Sequence, residues 1–174
     1  MIAKNEEKHI EKCLAAIRSH AAGSVELEII VVDTGSTDRT KEIAARYADK
    51  VLDFVWVNDF SAARNYSISQ ASYDYILSLD CDEIITQLDL DQLFALIEQH
   101  PEAVGFIAID NHYFSNQTDT VYRDRLGRFF HRGFFHFDAP IHEQVVHKRI
   151  GTRYESYNAP IAVDHVGYLG SIEA

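Results

Sequence analysis

The first half of the chain alternates between segments with helical spacing and short apolar runs. Residues 6–19 repeat apolar side chains at helical intervals, which predicts an amphipathic helix. Residues 27–32 are continuously apolar and end at Asp33, a pattern typical of a strand buried on both faces of a parallel sheet. Further strands are predicted over 51–57, 73–79 and 104–110, and further helices from 39 to about 47, over 60–71 and from 89. This alternation predicts an α/β domain with a doubly wound, mainly parallel sheet.

The pattern changes after about residue 112. Helical spacing disappears, and aromatic, His and Arg residues crowd residues 122–137. We interpret this half as strands and long loops packed over one end of the sheet. A chain of 174 residues is long enough for one domain with a sizeable core. We therefore predict a single domain with a first half over 1–112 and a second half over 113–174.

Acidic side chains stand where predicted strands end, at Asp33, Asp59, Asp80 and Asp82. In open parallel sheets, ligands bind at the carboxyl ends of the strands. Asp80 and Asp82 are two residues apart on an extended backbone, so both can point toward one cation. Mg²⁺ and Mn²⁺ prefer carboxylate oxygens and often share their coordination shell with substrate phosphates. The sequence therefore predicts a divalent metal site, and an ordinary acidic turn is the alternative.

Composition restricts the class of partner. The formal charge of −11 argues against a nucleic acid surface, although it is compatible with a phosphorylated small molecule whose charge a metal neutralises. No apolar run reaches the roughly 18 residues of a membrane-spanning helix. Cys13 and Cys81 are not expected to form a disulfide, which fits a reducing compartment. We expect a cytoplasmic location, either free in the cytoplasm or at the inner face of the membrane.

Four motifs resemble those of family 2 glycosyltransferases with the GT-A fold, in the order and spacing of that family. They are Lys4-Asn5-Glu6-Glu7, Val31-Val32-Asp33-Thr34-Gly35-Ser36-Thr37-Asp38, Asp59-Phe60-Ser61-Ala62-Ala63-Arg64-Asn65 and Leu79-Asp80-Cys81-Asp82-Glu83. Two later segments resemble one bacterial branch of the family, namely Ile141-His142-Glu143 and His165-Val166-Gly167-Tyr168. The resemblance covers nearly the whole chain. It implies a Rossmann-like GT-A fold.

The same resemblance implies a reaction and a set of site residues. The reaction is an inverting sugar transfer from a nucleotide diphosphate sugar, with a UDP-sugar as the first choice and Mn²⁺ or Mg²⁺ as cofactor. The acceptor would be a glycan, a lipid-linked molecule or a protein, in bacterial cell-surface glycan synthesis. The implied substrate-binding residues are Asn5, Asp33, Ser36, Arg64, Asp80 and His142. The implied metal ligands are Asp80, Asp82 and His165, and the implied catalytic residues are Asp82 and Glu143.

Glu143 is our choice of general base, because an inverting transfer needs a group that takes the proton of the acceptor hydroxyl. It lies in the half of the chain expected to cover the acceptor, and Asp124 and Asp138 are its rivals. We further expect the side chains of Asp33 and Arg64 to serve a binding pocket more than the core.

The chain also departs from the family. Only Met1-Ile2-Ala3 precede the first motif, where the family has a full apolar strand, and relatives continue past the segment that begins at His165. The chain thus resembles a truncated enzyme, and a non-catalytic or inactive nucleotide-sugar-binding remnant is one alternative function. A nucleotidyltransferase is another, although the Gly-rich, basic phosphate loop expected near its N-terminus is missing from the sequence.

Three other groups of residues have two interpretations each. A zinc site built from histidines is disfavoured, because their spacing follows no single helical face and no cysteine pair accompanies them. The arginines of the second half either bind an anionic ligand or offset the acidic domain as solvated side chains, whereas its phenylalanines are better explained by core packing than by sugar stacking. These residues are His131, His136, His142, His147 and His165; Arg123, Arg125, Arg128 and Arg132; and Phe129, Phe130, Phe134 and Phe135.

Overall fold

The computed structural model describes residues 1–23, 25–115 and 118–167, without the side chains of 114–119. Its helices are α1 (Ile10–Ala21), α2 (Thr40–Ala44), α3 (Phe60–Ser69) and α4 (Leu90–Gln99). Its strands are β1 (Ile2–Ala3), β2 (Ile30–Asp33), β3 (Lys50–Asp53), β4 (Tyr75–Leu77), β5 (Glu83–Leu88), β6 (Val104–Ser115), β7 (Thr118–His131), β8 (Phe135–Asp138), β9 (Gln144–His147) and β10 (Ser156–His165). Tyr168, the last residue of the predicted C-terminal motif, lies outside the described residues.

The strands form three sheets. The first has the order β1-β2-β3 and is parallel, and the second has the order β4-β7-β6-β10-β5. In the second sheet only β6 and β10 run parallel to each other, whereas its other neighbours are antiparallel. Strands β8 and β9 form a small antiparallel ribbon. The predicted α/β class is confirmed, but among the described strands the pairing is mixed rather than mainly parallel, because the strands from the later part of the chain pair antiparallel with β4, β5, β6 and each other.

The helix ends follow from the local sequence. Helix α3 begins after Asp59, whose carboxylate accepts a hydrogen bond from the N–H of Ala62, and α4 begins after Asp89, which accepts from Gln92. Helix α1 starts at Ile10, four residues later than predicted. The preceding residues form a turn that leads into the helix: the carbonyl of Glu6 accepts from the N–H groups of His9 and Ile10, and its own N–H donates to the Thr40 hydroxyl at 2.7 Å.

The short first strand still occupies a place beside β2. Ile2 pairs with Val32 and Ala3 with Asp33, in parallel register. The amino group of Met1 donates to the carbonyl oxygen of Ile30 at 3.1 Å, which extends the pairing. The loop that follows β1 is therefore delivered to the carboxyl end of β2.

Strand β5 was missing from the sequence prediction, which assigned no element to this segment. It starts directly at Glu83 and pairs antiparallel with β10, so that Glu83 lies opposite His165. The acidic motif is consequently a tight connection between β4 and β5. This arrangement brings the end of β10 next to Asp82, where the N–H of Val166 donates to its carbonyl oxygen at 3.0 Å.

The core has one part under each sheet. Apolar residues of α4 and the five-stranded sheet form the largest cluster, and residues of α1, α2 and β2 form another. Phe130 and Phe135 are fully buried and pack edge to face, so the prediction that the phenylalanines serve the core is confirmed for them. Cys13 and Cys81 are buried as free thiols. Among the described residues, no helix is long and apolar enough to cross a membrane.

Candidate active site

A cleft of about 710 Å³ opens at the carboxyl ends of β1 and β2. Both halves of the chain contribute to its lining. Residues that line it include Trp56, Arg64, Asp80, Asp82, Glu143 and His165. Of the four predicted strand-end carboxylates, Asp80 and Asp82 line this cleft, whereas Asp33 and Asp59 are not in its lining.

Arg64 is the centre of a buried ion network in this cleft. Its side chain is only 6% exposed, and it extends from α3 toward the end of β4. Its Nη2 donates to Oδ1 of Asp80 at 2.7 Å, and its Nε donates to Oε1 of Glu143 at 2.6 Å. Its Nη1 reaches the hydroxyl of Ser78 at 3.3 Å. One guanidinium thus joins the acidic motif after β4 to the predicted general base.

Asp80 is held by arginines on both carboxylate oxygens. Arg128 of β7 donates to Oδ2 at 3.0 Å while Arg64 holds Oδ1. Burial by itself raises the pKa of Asp80, but the two guanidiniums outweigh it and hold that pKa well below the ordinary value. Burial and the nearby Asp80 charge raise the pKa of Glu83, which accepts the N–H of Asp80 at 2.8 Å.

The lowered pKa of Asp80 predicts a pH-dependent effect of Asp80→Asn. A carboxyl group whose pKa falls on folding stabilises the native state above its unfolded pKa, and this stabilisation is lost as the pH falls below it. We expect the variant to lose about 2 kcal/mol of unfolding free energy at neutral pH, the typical value for hydrogen bonds to a charged group. The difference should shrink below about pH 4. Urea unfolding of both proteins at several pH values measures it, and a constant difference would contradict the assignment.

Asp82 points the other way, toward His165 at the end of β10. Its Oδ2 lies 3.2 Å from Nε2 of His165, and both side chains are about one-fifth exposed. The hydrogen bond to Asp82 raises the pKa of His165 above its ordinary value. Gly167 lies against this pair, since a Cβ built there would overlap Oδ2 of Asp82 and lie 3.2 Å from Nε2 of His165. Glycine at this position therefore lets the backbone approach the Asp82 carboxylate closely.

Asp33 shapes the loop after β2. Its Oδ1 accepts hydrogen bonds from the N–H groups of Gly35 and Ser36 at 3.0 and 2.9 Å. Its Oδ2 is buried and has no hydrogen-bond partner among the described residues. A buried carboxylate oxygen without a donor is unfavourable, so this atom is suited to receive a donor from a ligand.

Asn5 and Ser36 bind each other's loops rather than pointing alone into the cleft. The N–H of Asn5 donates to the hydroxyl of Ser36 at 2.9 Å, and its Oδ1 accepts from the N–H of Thr37 at 2.8 Å. Asn5 adopts a left-handed conformation with φ of 57°, which Asn tolerates better than most residues. The two sequence motifs therefore fix each other at the edge of the cleft.

Glu143 reaches the cleft from a constrained loop between β8 and β9. Ala139 and His142 both have positive φ, of 80° and 58°, and strained backbone of this kind clusters at functional sites. The N–H of Phe60 donates to the carbonyl of Pro140 at 3.0 Å and ties this loop to the start of α3. His142 lines the cleft beside Glu143. Among the residues that line it, the rivals Asp124 and Asp138 do not occur.

The cleft brings together six of the nine predicted site residues, while Asn5, Asp33 and Ser36 build the loops beside it. Within the described ranges, no three His, Cys, Asp or Glu side chains converge on a common point, so the three predicted metal ligands Asp80, Asp82 and His165 are not gathered into one cluster. Sequence reasoning missed Asn111, which contacts His165, and left open whether Arg128 binds an anion. The structure pairs Arg128 with Asp80, and it pairs Arg123 with Asp110 and Arg132 with Asp74.

Two known proteins are similar in sequence to nearly the whole chain. A TPR repeat-containing protein of Synechococcus elongatus is 34% identical over 175 residues, which cover 97% of this chain and 41% of that protein. The SPbeta prophage-derived glycosyltransferase SunS of Bacillus subtilis is 28% identical over 170 residues, covering 97% of this chain and 39% of SunS. The chain thus spans about two-fifths of the length of these relatives.

Solved structures agree with the sequence comparison. The Staphylococcus aureus TarS 1-349 fragment in complex with UDP-GlcNAc superposes with a TM-score of 0.56 and 26% identity, covering 68% of this chain and 35% of that one. The sequence model described as "Glycosyl transferase family 2" matches residues 1–166. The GT-A architecture, the order of the motifs and this match lead to one assignment: the chain belongs to glycosyl transferase family 2.

Proposed function

We propose that this domain catalyses a metal-dependent, inverting transfer of a sugar from a UDP-sugar to an acceptor hydroxyl. The observation that carries the proposal is the cleft in which Asp82 and His165 face each other while Glu143 enters from another loop. The likeness to TarS in complex with UDP-GlcNAc supports a uridine nucleotide as the donor. Family membership favours sugar transfer over the nucleotidyltransferase alternative.

The nucleoside would bind beside the loop after β2. Among the described residues Oδ2 of Asp33 has no hydrogen-bond partner, and a donor group of the base or ribose would satisfy it. Asn5 and Ser36 would act by holding this loop in place, since they bond to each other and to Thr37. Arg64 and Asp80 lie deeper in the cleft and would border the diphosphate or the sugar.

The residues present fit a divalent cation. A carboxylate oxygen and an imidazole nitrogen lie 3.2 Å apart in the lining of the cleft, and both are ligands that divalent ions such as Mn²⁺ accept. We assign Asp82 and His165 as the protein ligands of the cation. Both oxygens of Asp80 accept hydrogen bonds from arginines, so Asp80 would hold Arg64 and Arg128 in place rather than bind the cation. An imidazole ligand suits Mn²⁺ better than Mg²⁺. When bound, the cation would offset the charge of the departing diphosphate.

Glu143 would take the proton of the acceptor hydroxyl. Arg64 holds its Oε1 at 2.6 Å, so the carboxylate is oriented and its second oxygen, Oε2, would accept the proton. Asp124 and Asp138 are both exposed on strands, and the residues that line the described cleft do not include them. This difference supports Glu143 over its rivals.

The two halves of the chain would then divide the substrates. Residues 1–112 would supply the nucleotide-sugar side, joined by the metal ligand His165, and residues 113–174 would supply the acceptor side through Glu143. The acceptor would be a glycan, a lipid-linked molecule or a protein of bacterial cell-surface glycan synthesis, handled in the cytoplasm at or near the inner face of the membrane. A formal net charge of −11 also makes nucleic acid an unsuitable acceptor.

Gly167→Ala is expected to weaken Mn²⁺ binding in the presence of UDP by about tenfold or more, the scale of changes around metal ligands. The added methyl group would overlap Oδ2 of Asp82 and displace the carboxylate from its place beside His165. Calorimetry measures the affinity, and thermal unfolding checks that the fold is retained. Unchanged Mn²⁺ affinity in a folded variant would show that metal binding does not depend on the position of the Asp82 carboxylate beside His165.

The proposed function is tested by release of UDP from UDP-GlcNAc and other UDP-sugars, with Mn²⁺ or with EDTA. Transferases hydrolyse their donor slowly without an acceptor, so we expect UDP release that requires the metal and is lost in Asp82→Asn. Asp124→Asn, an exposed carboxylate outside the lining, is the matched control and should remain active. Binding without release would indicate a non-catalytic module, and the lack of both would indicate an inactive remnant.

A further inference from the structure

The environment of His165 contains a residue that no sequence motif includes. Strands β6 and β10 run parallel with Asn111 directly opposite His165. The distance between Oδ1 of Asn111 and Nδ1 of His165 is 2.8 Å. On its other side, Asn111 lies opposite Tyr122 of β7, and its Nδ2 donates to the carbonyl oxygen of Tyr122 at 3.3 Å.

These contacts fix the orientation of the Asn111 amide. Only the NH₂ end of the amide can donate to a backbone carbonyl, so the oxygen end must face His165. An amide oxygen only accepts hydrogen bonds, and therefore Nδ1 of His165 must carry a proton. In the neutral imidazole, Nε2 is then the nitrogen with the free electron pair, and it points toward Oδ2 of Asp82 at 3.2 Å.

This arrangement favours a cation at one place. The electron pairs of a neutral imidazole and a carboxylate repel each other at this separation unless a positive charge lies between or beside them. A proton on Nε2 or a metal ion satisfies both groups, and metal binding replaces the proton. In the other neutral tautomer the proton is on Nε2. That histidine would present an N–H to the site and could not coordinate a metal through Nε2.

We propose that Asn111 is a positioning residue that holds His165 in the tautomer whose Nε2 can bind the metal, and so sets the metal affinity of the site. The inference rests on the proposed metal-dependent function. It goes beyond it because Asn111 touches neither the cation nor the substrate. Outer partners of metal-bound histidines typically change metal affinity by about 10- to 100-fold when they are removed.

The test uses the whole chain and two readouts. With UDP present, Mn²⁺ binding is followed by the electron paramagnetic resonance of the free ion. We expect Asn111→Leu to weaken it by about 10- to 100-fold, and Asn111→Asp, which keeps an acceptor for Nδ1, to retain it. Asn158→Leu is the matched control, because Asn158 is exposed toward the other end of β10, and it should bind like the unsubstituted chain.

The second readout needs no metal. Nitrogen-15 spectra of labelled histidine at alkaline pH distinguish the two neutral tautomers, and His165→Gln identifies the signal. We expect the Nδ1-protonated form in the unsubstituted chain and its loss in Asn111→Leu. The Nε2-protonated form, or unchanged Mn²⁺ affinity in a folded Asn111→Leu, would overturn the inference alone. If the unsubstituted chain binds no Mn²⁺ with UDP, the proposed function fails instead.

Discussion

Glu143→Gln is expected to lower UDP-sugar turnover by about 10²- to 10⁴-fold, the usual contribution of a general base. Glutamine has nearly the same shape and keeps an oxygen for the N–H of Arg64, but it cannot take a proton. Glu143 is 13% exposed and shares the cleft with Asp82, so the substitution acts where the acceptor would attack. Turnover is measured as UDP release, alongside UDP affinity by calorimetry in the presence of Mn²⁺.

The affinity measurement separates catalysis from binding. We expect UDP and Mn²⁺ to bind Glu143→Gln nearly as well as the unsubstituted chain, because Glu143 is not one of the assigned ligands. Asp138→Asn and Asp124→Asn, the same kind of change at the rival carboxylates, should leave turnover unchanged. A fully active Glu143→Gln would remove the residue from the role of base and return Asp138 and Asp124 to consideration.

Arg64→Met should destabilise the fold as well as the site. The substitution retains most of the side-chain volume but leaves Glu143 without its cation and Asp80 with only Arg128. Removing one partner of a buried ion pair typically costs about 3–5 kcal/mol. We expect about 3 kcal/mol, the lower end, because Asp80 is one-third exposed and can hydrate.

Such a loss corresponds to a decrease of about 6–12 °C in melting temperature for a chain of this size. Arg64→Lys keeps a charge but cannot hold both carboxylates in the same way. Its melting temperature should therefore lie between those of Arg64→Met and the unsubstituted chain. Arg125→Met, the same change at an exposed position of β7, should have little effect. An Arg64→Met variant that melts normally and loses only UDP affinity would restrict Arg64 to the pocket.

The sequence predicted the first half well because its signals are local. Helical spacing, N-cap residues such as Asp89 and apolar runs reflect the nearest neighbours in the chain, and most elements there occur within a few residues of the predicted bounds. The family motifs located the cleft for a related reason, since each motif is contiguous. Arg64 was expected to serve a pocket, and its 6% exposure and two ion pairs give it a structural role as well.

The second half could not be predicted in the same detail, because strand pairing there connects distant residues. Arg128 reaches Asp80 only because β7 pairs with β4, where the N–H of Ser78 donates to the Arg128 carbonyl. Asn111 meets His165 across 54 positions through the parallel pairing of β6 and β10. Strand β5 was missed because its burial depends on the later strand β10. No local pattern specifies these registers.

We infer that the bound nucleotide completes the metal site. Among the described residues only Asp82 and His165 face the proposed position, and no third ligand of the usual kinds joins them. Divalent ions with so few protein ligands take much of their shell from substrate phosphates and water. Mn²⁺ and UDP should therefore bind far more tightly together than either does alone.

Calorimetric titration of UDP into the chain, in Mn²⁺ and in EDTA, tests this claim most directly. We expect UDP binding in Mn²⁺ to be at least about tenfold tighter than in EDTA, a coupling of about 1.4 kcal/mol or more. We also expect Asp82→Asn to remove the difference. Equal UDP affinity in Mn²⁺ and in EDTA would contradict the claim.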